Sequence, residues 1–356
     1  MRTRSLSPVA WSMLLLMSAG AACGLSACRS SPRAGGILPE GDTREKMEKY
    51  RFSRPVMGGP VTIVFYAAIG SEAAARAAEE AFEAIAEVDR DMSDYRPESA
   101  LCRLNAASGG GAVSVPEPLL DVLSVSKRIA EMTGGAFDPT VGPLVRLWRR
   151  ARSERRLPEA SEIEAARRHV GYGRIQIDRI GRTVRLEQAG MQLDLGGIAK
   201  GYACDRALKV LADRGVRRAL VDAAGDFALG DPPPGREAWR IQIVDHPELV
   251  LHLVRCGVAT SGDSERFVEI DGRRYSHIVN PATGYGLEHM SLATVVAPDG
   301  ATADAMATAI SVLGPGRGLD LAATVPGVEA WMEWRTPAGA RSAQTKGLAG
   351  ILGEAR

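Results

Sequence analysis

What most constrains this chain is the order in which its periodic segments come. Ser71 opens an Ala- and Glu-rich stretch to Val88, with Ala78, Phe82, Ile85 and Ala86 on one helical face. Further helical segments are read at Pro118 to Met132, ended by Gly134-Gly135, and at Pro158–His169, Gly197–Arg214 and Ala303–Leu313. Between them lie β-rich or alternating runs at Val61–Tyr66, Ile175–Leu186, Met191–Leu195 and Arg218–Asp222. More follow at Trp239–Val244, Leu251–Arg255, Arg266–Ile270 and Ala293–Val296. Helices and hairpin-like strand pairs mix without a regular βαβ alternation, which predicts an α+β fold with mixed or antiparallel sheets and packed helices. With 356 residues, about twice a typical domain, two lobes are expected.

Charge then removes one class of partner. The 44 basic and 43 acidic residues nearly cancel, so there is no electrostatic footprint for nucleic acid. The N-terminus speaks to compartment. Arg2 and Arg4 precede an apolar run from Val9 to Met17, and small residues lead to Leu25-Ser26-Ala27-Cys28. The run is too short for a membrane span and has a secretory layout. Its last four residues resemble a bacterial lipobox with Cys28 as the lipidated residue; the alternative is an ordinary signal peptide with an incidental cysteine. The expected division is a lipoprotein signal peptide at 1–27, a tether at 28–50, one catalytic domain at 51–340 and a C-terminal tail at 341–356. The body would then be lipid-anchored on the exported side of a membrane. Cys102, Cys204 and Cys256 form no Cys-x-x-Cys pair and read as small buried hydrophobes rather than a disulfide or zinc framework.

Four segments carry candidate chemistry. Asp194-Leu195-Gly196-Gly197-Ile198-Ala199-Lys200-Gly201 lies at a strand-to-helix junction, where glycines admit a ligand to the backbone and a helix N-terminus offers N–H groups to phosphate. Lys200 would add a mobile cation; a plain tight turn is the competing reading. Asp304 and Thr308, four apart on the last helix, place a carboxylate and a hydroxyl on one face, suited to one magnesium ion. The bland account is an acid favoured by the helix dipole beside a packed threonine. Tyr275-Ser276-His277-Ile278-Val279-Asn280-Pro281-Ala282-Thr283-Gly284 sets a histidine next to an Asn-Pro turn, as a base, a phosphate ligand or a structural residue. Thr133-Gly134-Gly135-Ala136-Phe137-Asp138-Pro139-Thr140 offers an aromatic and a carboxylate to a planar ring, or caps a helix.

Taken in order, these segments are similar to the motif series of the ApbE-type FAD:protein FMN transferase family. Met57-Gly58, Met92-Ser93-Asp94-Tyr95 through Leu104-Asn105, Val170-Gly171-Tyr172, Ala259-Thr260-Ser261-Gly262 and Val312-Leu313-Gly314 extend the match over about Phe52 to Gly314. The resemblance implies an ApbE-like fold and a magnesium-dependent enzyme with FAD as its substrate. Such an enzyme moves FMN onto a threonine or serine hydroxyl of an acceptor flavoprotein and releases AMP. By motif position it implies that Met57, Tyr95, Ala136, Phe137, Asp138, Asp194, Lys200 and Ile278 contact FAD. Gly197, through its carbonyl, Asp304 and Thr308 would hold Mg2+, and His277 would transfer a proton or orient phosphate. A metal, a lysine and a helix N-terminus are what phosphoryl transfer asks of a protein. Two positions depart from many relatives: Ala224-Gly225-Asp226 stands for a double glycine before the aspartate, and Ala307 for a second acid before the metal threonine. A flavin-binding lipoprotein without turnover and a pyrophosphatase cutting FAD to FMN and AMP are the rival functions.

Overall fold

The computed structural model describes residues 47–262 and 267–353. The leader, Cys28, most of the expected tether and Arg266 lie outside the described residues. A hairpin of β1 (Glu48–Val56) and β2 (Gly59–Ala67) is followed by α1 (Ser71–Met92), α2 (Ala100–Ala106), β3 (Val113–Ser114), α3 (Glu117–Met132), α4 (Gly142–Glu154) and α5 (Ala160–Arg167). Next come β4 (Ile175–Asp178), β5 (Thr183–Leu186), α6 (Ala199–Asp213), β6 (Arg218–Ala223), β7 (Asp226–Leu229), β8 (Trp239–Ile243) and β9 (His246–Leu253). The chain continues through β10 (Gly257–Gly262), β11 (Phe267–Ile270), β12 (Arg273–Ser276), β13 (Ser291–Ala297), α7 (Gly300–Leu313) and α8 (Pro315–Thr324). It closes with β14 (Glu329–Thr336), β15 (Gly339–Gln344) and β16 (Leu352–Gly353).

Eight strands form one antiparallel sheet in the order β1-β2-β6-β7-β10-β13-β14-β15. The α+β architecture with antiparallel sheets is therefore as the sequence predicts. Alternation along the strands lets this one sheet serve two cores. Val61, Ile63, Phe65, Val221, Ala259, Val295 and Met332 join α1, α6 and α7 in the larger core. Their neighbours Val64, Leu220, Val258, Val296 and Trp331 belong to a second cluster with Trp239, Ile241 and Leu251 of the small sheet β8-β9-β16. A third, smaller cluster joins Leu144, Leu147 and Trp148 of α4 to Ile163, Tyr275 and Val279. Fully burying one such large side chain stabilises the fold by roughly 1.5–3 kcal/mol.

Helix α7 is the central strut. It is buried along most of its length and its sequence is apolar all round, the mark of an interior helix. Its approach to α6 is close: a Cβ on Gly300 would lie 2.6 Å from the Gly201 carbonyl oxygen. Asp299 caps the helix by accepting from the Thr302 N–H at 2.7 Å. The helix thus begins at Gly300 rather than Ala303, and Asp304 sits beyond the first turn, where the dipole gives a carboxylate little help.

Three expectations change. Met191–Leu195 is not a ladder strand. On one side the Asn105 side-chain amide accepts from Leu193 N at 2.7 Å and donates to Leu193 O at 3.1 Å, and on the other Gln192 makes only an isolated parallel bridge with Val141. Residues 341–353, set apart as a tail, complete the fold. Strand β15 pairs with β14, Leu348 is buried in the second cluster, and β16 pairs with β9. Likewise residues 48–50 of the expected tether belong to β1. Helix α4, not foreseen, carries its apolar residues at 144, 147, 148 and 151, a helical spacing obscured by the arginines between them.

Candidate active site

Three elements of the main core converge on one group of charges. Lys200, in the first turn of α6, pairs with Asp226 at the start of β7, and Asp226 is almost wholly buried. Lys200 is therefore a fixed cation rather than a mobile one. Burial works against its charge, but Asp226 and Asp304 outweigh that cost and raise its pKa. Asp304 accepts from the Gly201 N–H at 3.2 Å. Burial first, and Asp226 second, push its carboxyl pKa up to about 7, against the pull of Lys200 and the backbone N–H groups. Asp222, bonded to Gly225 N at 2.9 Å, is pushed by burial up to about 6.

Thr308 lies one turn beyond Asp304, with its hydroxyl 3.4 Å from Ser261 Oγ on β10. A Cβ on Gly197 would come within 2.8 Å of that Thr308 hydroxyl oxygen, so only glycine leaves room between the turn and the helix. A buried carboxylate repelled by a second one, with hydroxyl and carbonyl oxygens beside it, is the oxygen donor set a hard cation takes. Among the described residues no three His, Cys, Asp or Glu side chains converge as a metal cage. A cation here would draw on one carboxylate, neutral oxygens and substrate phosphate, as Mg2+ commonly does.

The turn that delivers Gly197 is shaped by Asp194, whose carboxylate accepts from Gly196 N at 2.8 Å. Its own N–H donates to Pro139 O at 2.8 Å, joining this turn to the 136–140 segment. In that segment Phe137 and Asp138 point into the fold. Phe137 is 3% exposed, and Asp138 accepts from Thr140 N at 2.8 Å, Thr140 Oγ1 at 2.6 Å and Tyr172 N at 3.1 Å. Burial raises the Asp138 pKa despite those bonds. The side chain of Tyr95, by contrast, is open: the residue is 73% exposed, on the loop between α1 and α2. Met57 occupies the β1–β2 turn at φ +55°. The adjoining Gly59 faces the β6–β7 turn, where a Cβ would meet the Ala224 Cβ at 3.3 Å.

His277 and Ile278 follow β12 on a different support. Ile278 N donates to Ser276 Oγ at 3.1 Å, and Leu287 N returns to Ile278 O at 3.0 Å. This turn is held to α4: Trp148 Nε1 donates to Gly284 O at 2.8 Å, and the Trp148 ring lies 5.0 Å from that of Tyr275. The structure thus brings Lys200, Asp304 and Thr308 of α6 and α7 together with Gly197 in the turn before α6, while His277 and Ile278 lie on a turn held to α4. Sequence reading gave no role to Asp226, Ser261 or Arg149. The first two lay inside quoted motifs, Ala224-Gly225-Asp226 and Ala259-Thr260-Ser261-Gly262. Arg149 lay in an arginine-rich stretch that hides which member pairs with Asp94 and Asp194.

The ApbE family model matches residues 57–332. The FAD:protein FMN transferase of Treponema pallidum (strain Nichols) is 33% identical over 329 residues, covering 86% of this chain and 87% of its own length. The apo form of the flavinyl transferase ApbE of Pseudomonas stutzeri superposes with a TM-score of 0.76 at 31% identity, over 86% of this chain and 98% of that one. The crystal structure of the ApbE protein of Thermotoga maritima gives 0.76 at 31% identity, over 86% of this chain and 100% of that one.

Proposed function

The chain belongs to the ApbE family and is a flavin transferase with FAD as its substrate, and from that premise we propose the finer course of its reaction. The hydroxyl oxygen of a threonine or serine on an exported flavoprotein attacks the FMN-side phosphorus of FAD. The pyrophosphate P–O bond breaks, AMP departs, and FMN remains esterified to the acceptor. The observation that carries this reading is the buried Asp304 carboxyl facing the Lys200–Asp226 pair, one turn from Thr308.

Gly197, Asp304 and Thr308 would hold Mg2+, which neutralises pyrophosphate charge when bound. Lys200, fixed by Asp226, meets a phosphate oxygen without further ordering of its side chain. Asp194 and the turn after it present backbone N–H groups near the start of α6. Met57, Tyr95, Ala136, Phe137, Asp138 and Ile278 line the flavin and nucleotide positions; given its burial, Phe137 contributes mainly shape. His277 would take the hydroxyl proton as general base, or orient a phosphate.

No helix among the described residues is long and apolar enough to cross a membrane. Lipid on Cys28 would then tether the domain on the exported side, where the acceptor's exported part is in reach.

The test is to incubate the full chain with FAD, Mg2+ and a candidate acceptor, then view denatured protein by flavin fluorescence. Covalent fluorescence on the acceptor with release of AMP is expected. Free FMN and AMP alone would make the chain a pyrophosphatase, and FAD binding without turnover would make it a carrier.

A further inference from the structure

We propose that Arg149 is a positioning residue that fixes the Tyr95 ring and the Asp194 carboxylate in one register for FAD. The inference rests on the reading above that Tyr95 and Asp194 meet FAD. Three contacts made by one guanidinium carry it. One terminal nitrogen pairs with Asp94, the other donates to Asp194 Oδ2 at 3.1 Å, and the guanidinium carbon lies 4.6 Å from the centre of the Tyr95 ring. Both edges of the fork and its flat face are thus engaged. A lysine ammonium has neither the fork nor the face.

These partners come from distant parts of the chain. Asp94 and Asp194 are 55 and 45 residues from Arg149 in sequence, and Tyr95 adjoins Asp94. Arg149 therefore ties the α1–α2 loop to the turn that leads through Gly197 to Lys200. Other arginines of α4 serve otherwise: Arg150, for example, pairs with Glu162 on the neighbouring α5. The preceding residue, Trp148, projects about 100° away around the helix and holds the His277 turn. One rigid helix thereby sets the flavin-side groups and the histidine turn relative to each other.

Without Arg149, two carboxylates face each other with no cation between them. The Tyr95 ring, mostly exposed, gains little orientation from burial, so the guanidinium beneath it sets its angle. Loss of Arg149 should thus misalign the ring and the turn together, weakening FAD binding through Tyr95 and Asp194.

The experiment measures FAD affinity, the visible circular dichroism of bound FAD, and kcat and KM for the full chain. The variants are Arg149→Gln, Arg149→Lys, Tyr95→Ala, Asp194→Asn and the doubles Arg149→Gln/Tyr95→Ala and Arg149→Gln/Asp194→Asn. Arg149→Gln is expected to raise the FAD Kd and KM about tenfold, with a smaller change in kcat, and to alter the dichroism. Each double should be no worse than about threefold beyond its more impaired single, the mark of groups that act as one unit. Arg149→Lys, which keeps the charge and carries the test if the glutamine variant does not fold, should stay several-fold impaired. Unchanged affinity in Arg149→Gln, additive doubles, or full rescue by lysine would each overturn the proposal. If Tyr95→Ala and Asp194→Asn themselves leave FAD affinity and dichroism untouched, the underlying reading of the site fails instead, and the inference with it.

Discussion

Around Lys200, Asp226 and Asp304 the charged groups sit on α6, β7 and α7, elements packed into the main core, whereas Tyr95, Arg149 and His277 sit on loops and on α4 outside it. The first half is stiff because the sheet and helices around it are buried, and its charges feel that burial: Asp304 and Asp222 hold protons to about 7 and about 6. The second half rests on a cluster of a few side chains and on polar contacts, so its local stability is lower. A pyrophosphate and a metal ask for fixed charges, while a large planar ring and an incoming acceptor ask for surfaces that can be reached. On the proposed assignment each would stand on the matching kind of support.

The largest effect expected is in the buried half. Asp304→Ala should lower transfer about 10³-fold or more, since one carboxylate supplies the charge of the proposed metal site. The fold should survive or gain stability, because alanine removes a buried carboxyl that burial and Asp226 disfavour, while Lys200 keeps its Asp226 partner. Transfer assayed across a magnesium titration checks this, and wild-type rates at limiting magnesium would remove Asp304 from the metal.

The outer half should break differently. Trp148→Ala removes the bond to Gly284 and the ring contact with Tyr275, and should cost about 3–5 kcal/mol. Amide exchange should speed up first at residues 273–287 and in α4, with α6 and α7 still protected. Uniform loss of protection across both halves would show that they form one cooperative unit and erase the distinction.

That difference also explains what could be read in the sequence. Strands β2, β6 and β13 and helix α7 were legible because burial on both faces leaves β-rich apolar runs and a mostly apolar helix, whereas β1, β7, β10 and β14 of the same sheet were not legible as strands. Asp304 and Thr308 were legible as a pair because one helical turn fixes their spacing, while Gly197 was named beside them only through the family resemblance. Arg149 was not, because its partners lie 45 and 55 residues away and its neighbours are also arginines. Met191–Leu195 misled because its extended backbone is satisfied by the Asn105 side chain and a single bridge to Val141 rather than by a ladder. The closing β15 and β16 carried too little hydrophobic pattern to stand out from a tail.

A pH experiment sharpens the contrast at an intermediate scale. Asp205 on α6 accepts from Gly300 N at 2.8 Å and Ala301 N at 2.9 Å, holding the start of α7. Burial pushes its pKa up to about 7 in spite of those bonds, with Asp299 adding repulsion. The unfolded chain releases this proton near pH 3.9, so the folded state binds the proton more tightly. The contribution to stability is thus full below about pH 4, declines as pH rises towards 7 and is lost above it. Metal-free protein should melt higher at pH 5.5 than at pH 7.5, against the usual acid trend. Asp205→Asn should lose part of that rise, and an unchanged slope in the variant would clear Asp205 of the effect.

The smallest expected effect concerns the backbone under the buried half. Ala224 holds φ +55° in the β6–β7 turn, a region that costs a residue with a Cβ roughly 1–2 kcal/mol. The next residue, Gly225 at φ +98°, donates to Asp222, and Asp226 beyond it pairs with Lys200. The strain is tolerated because the strands on either side fix the turn, with Ala223 paired to Asp226 and to Val61. Ala224→Gly removes the strain but adds about 0.5–1 kcal/mol of unfolded-state entropy, so the net gain is of order 0.5–1 kcal/mol. That corresponds to a rise in melting temperature of about 1–3 °C for a chain of this size. If the buried half is as stiff as its packing implies, FAD affinity should not change while the melting temperature rises. A drop in affinity with no stabilisation would mean that the Ala224 methyl group is part of the site's shape rather than a tolerated strain.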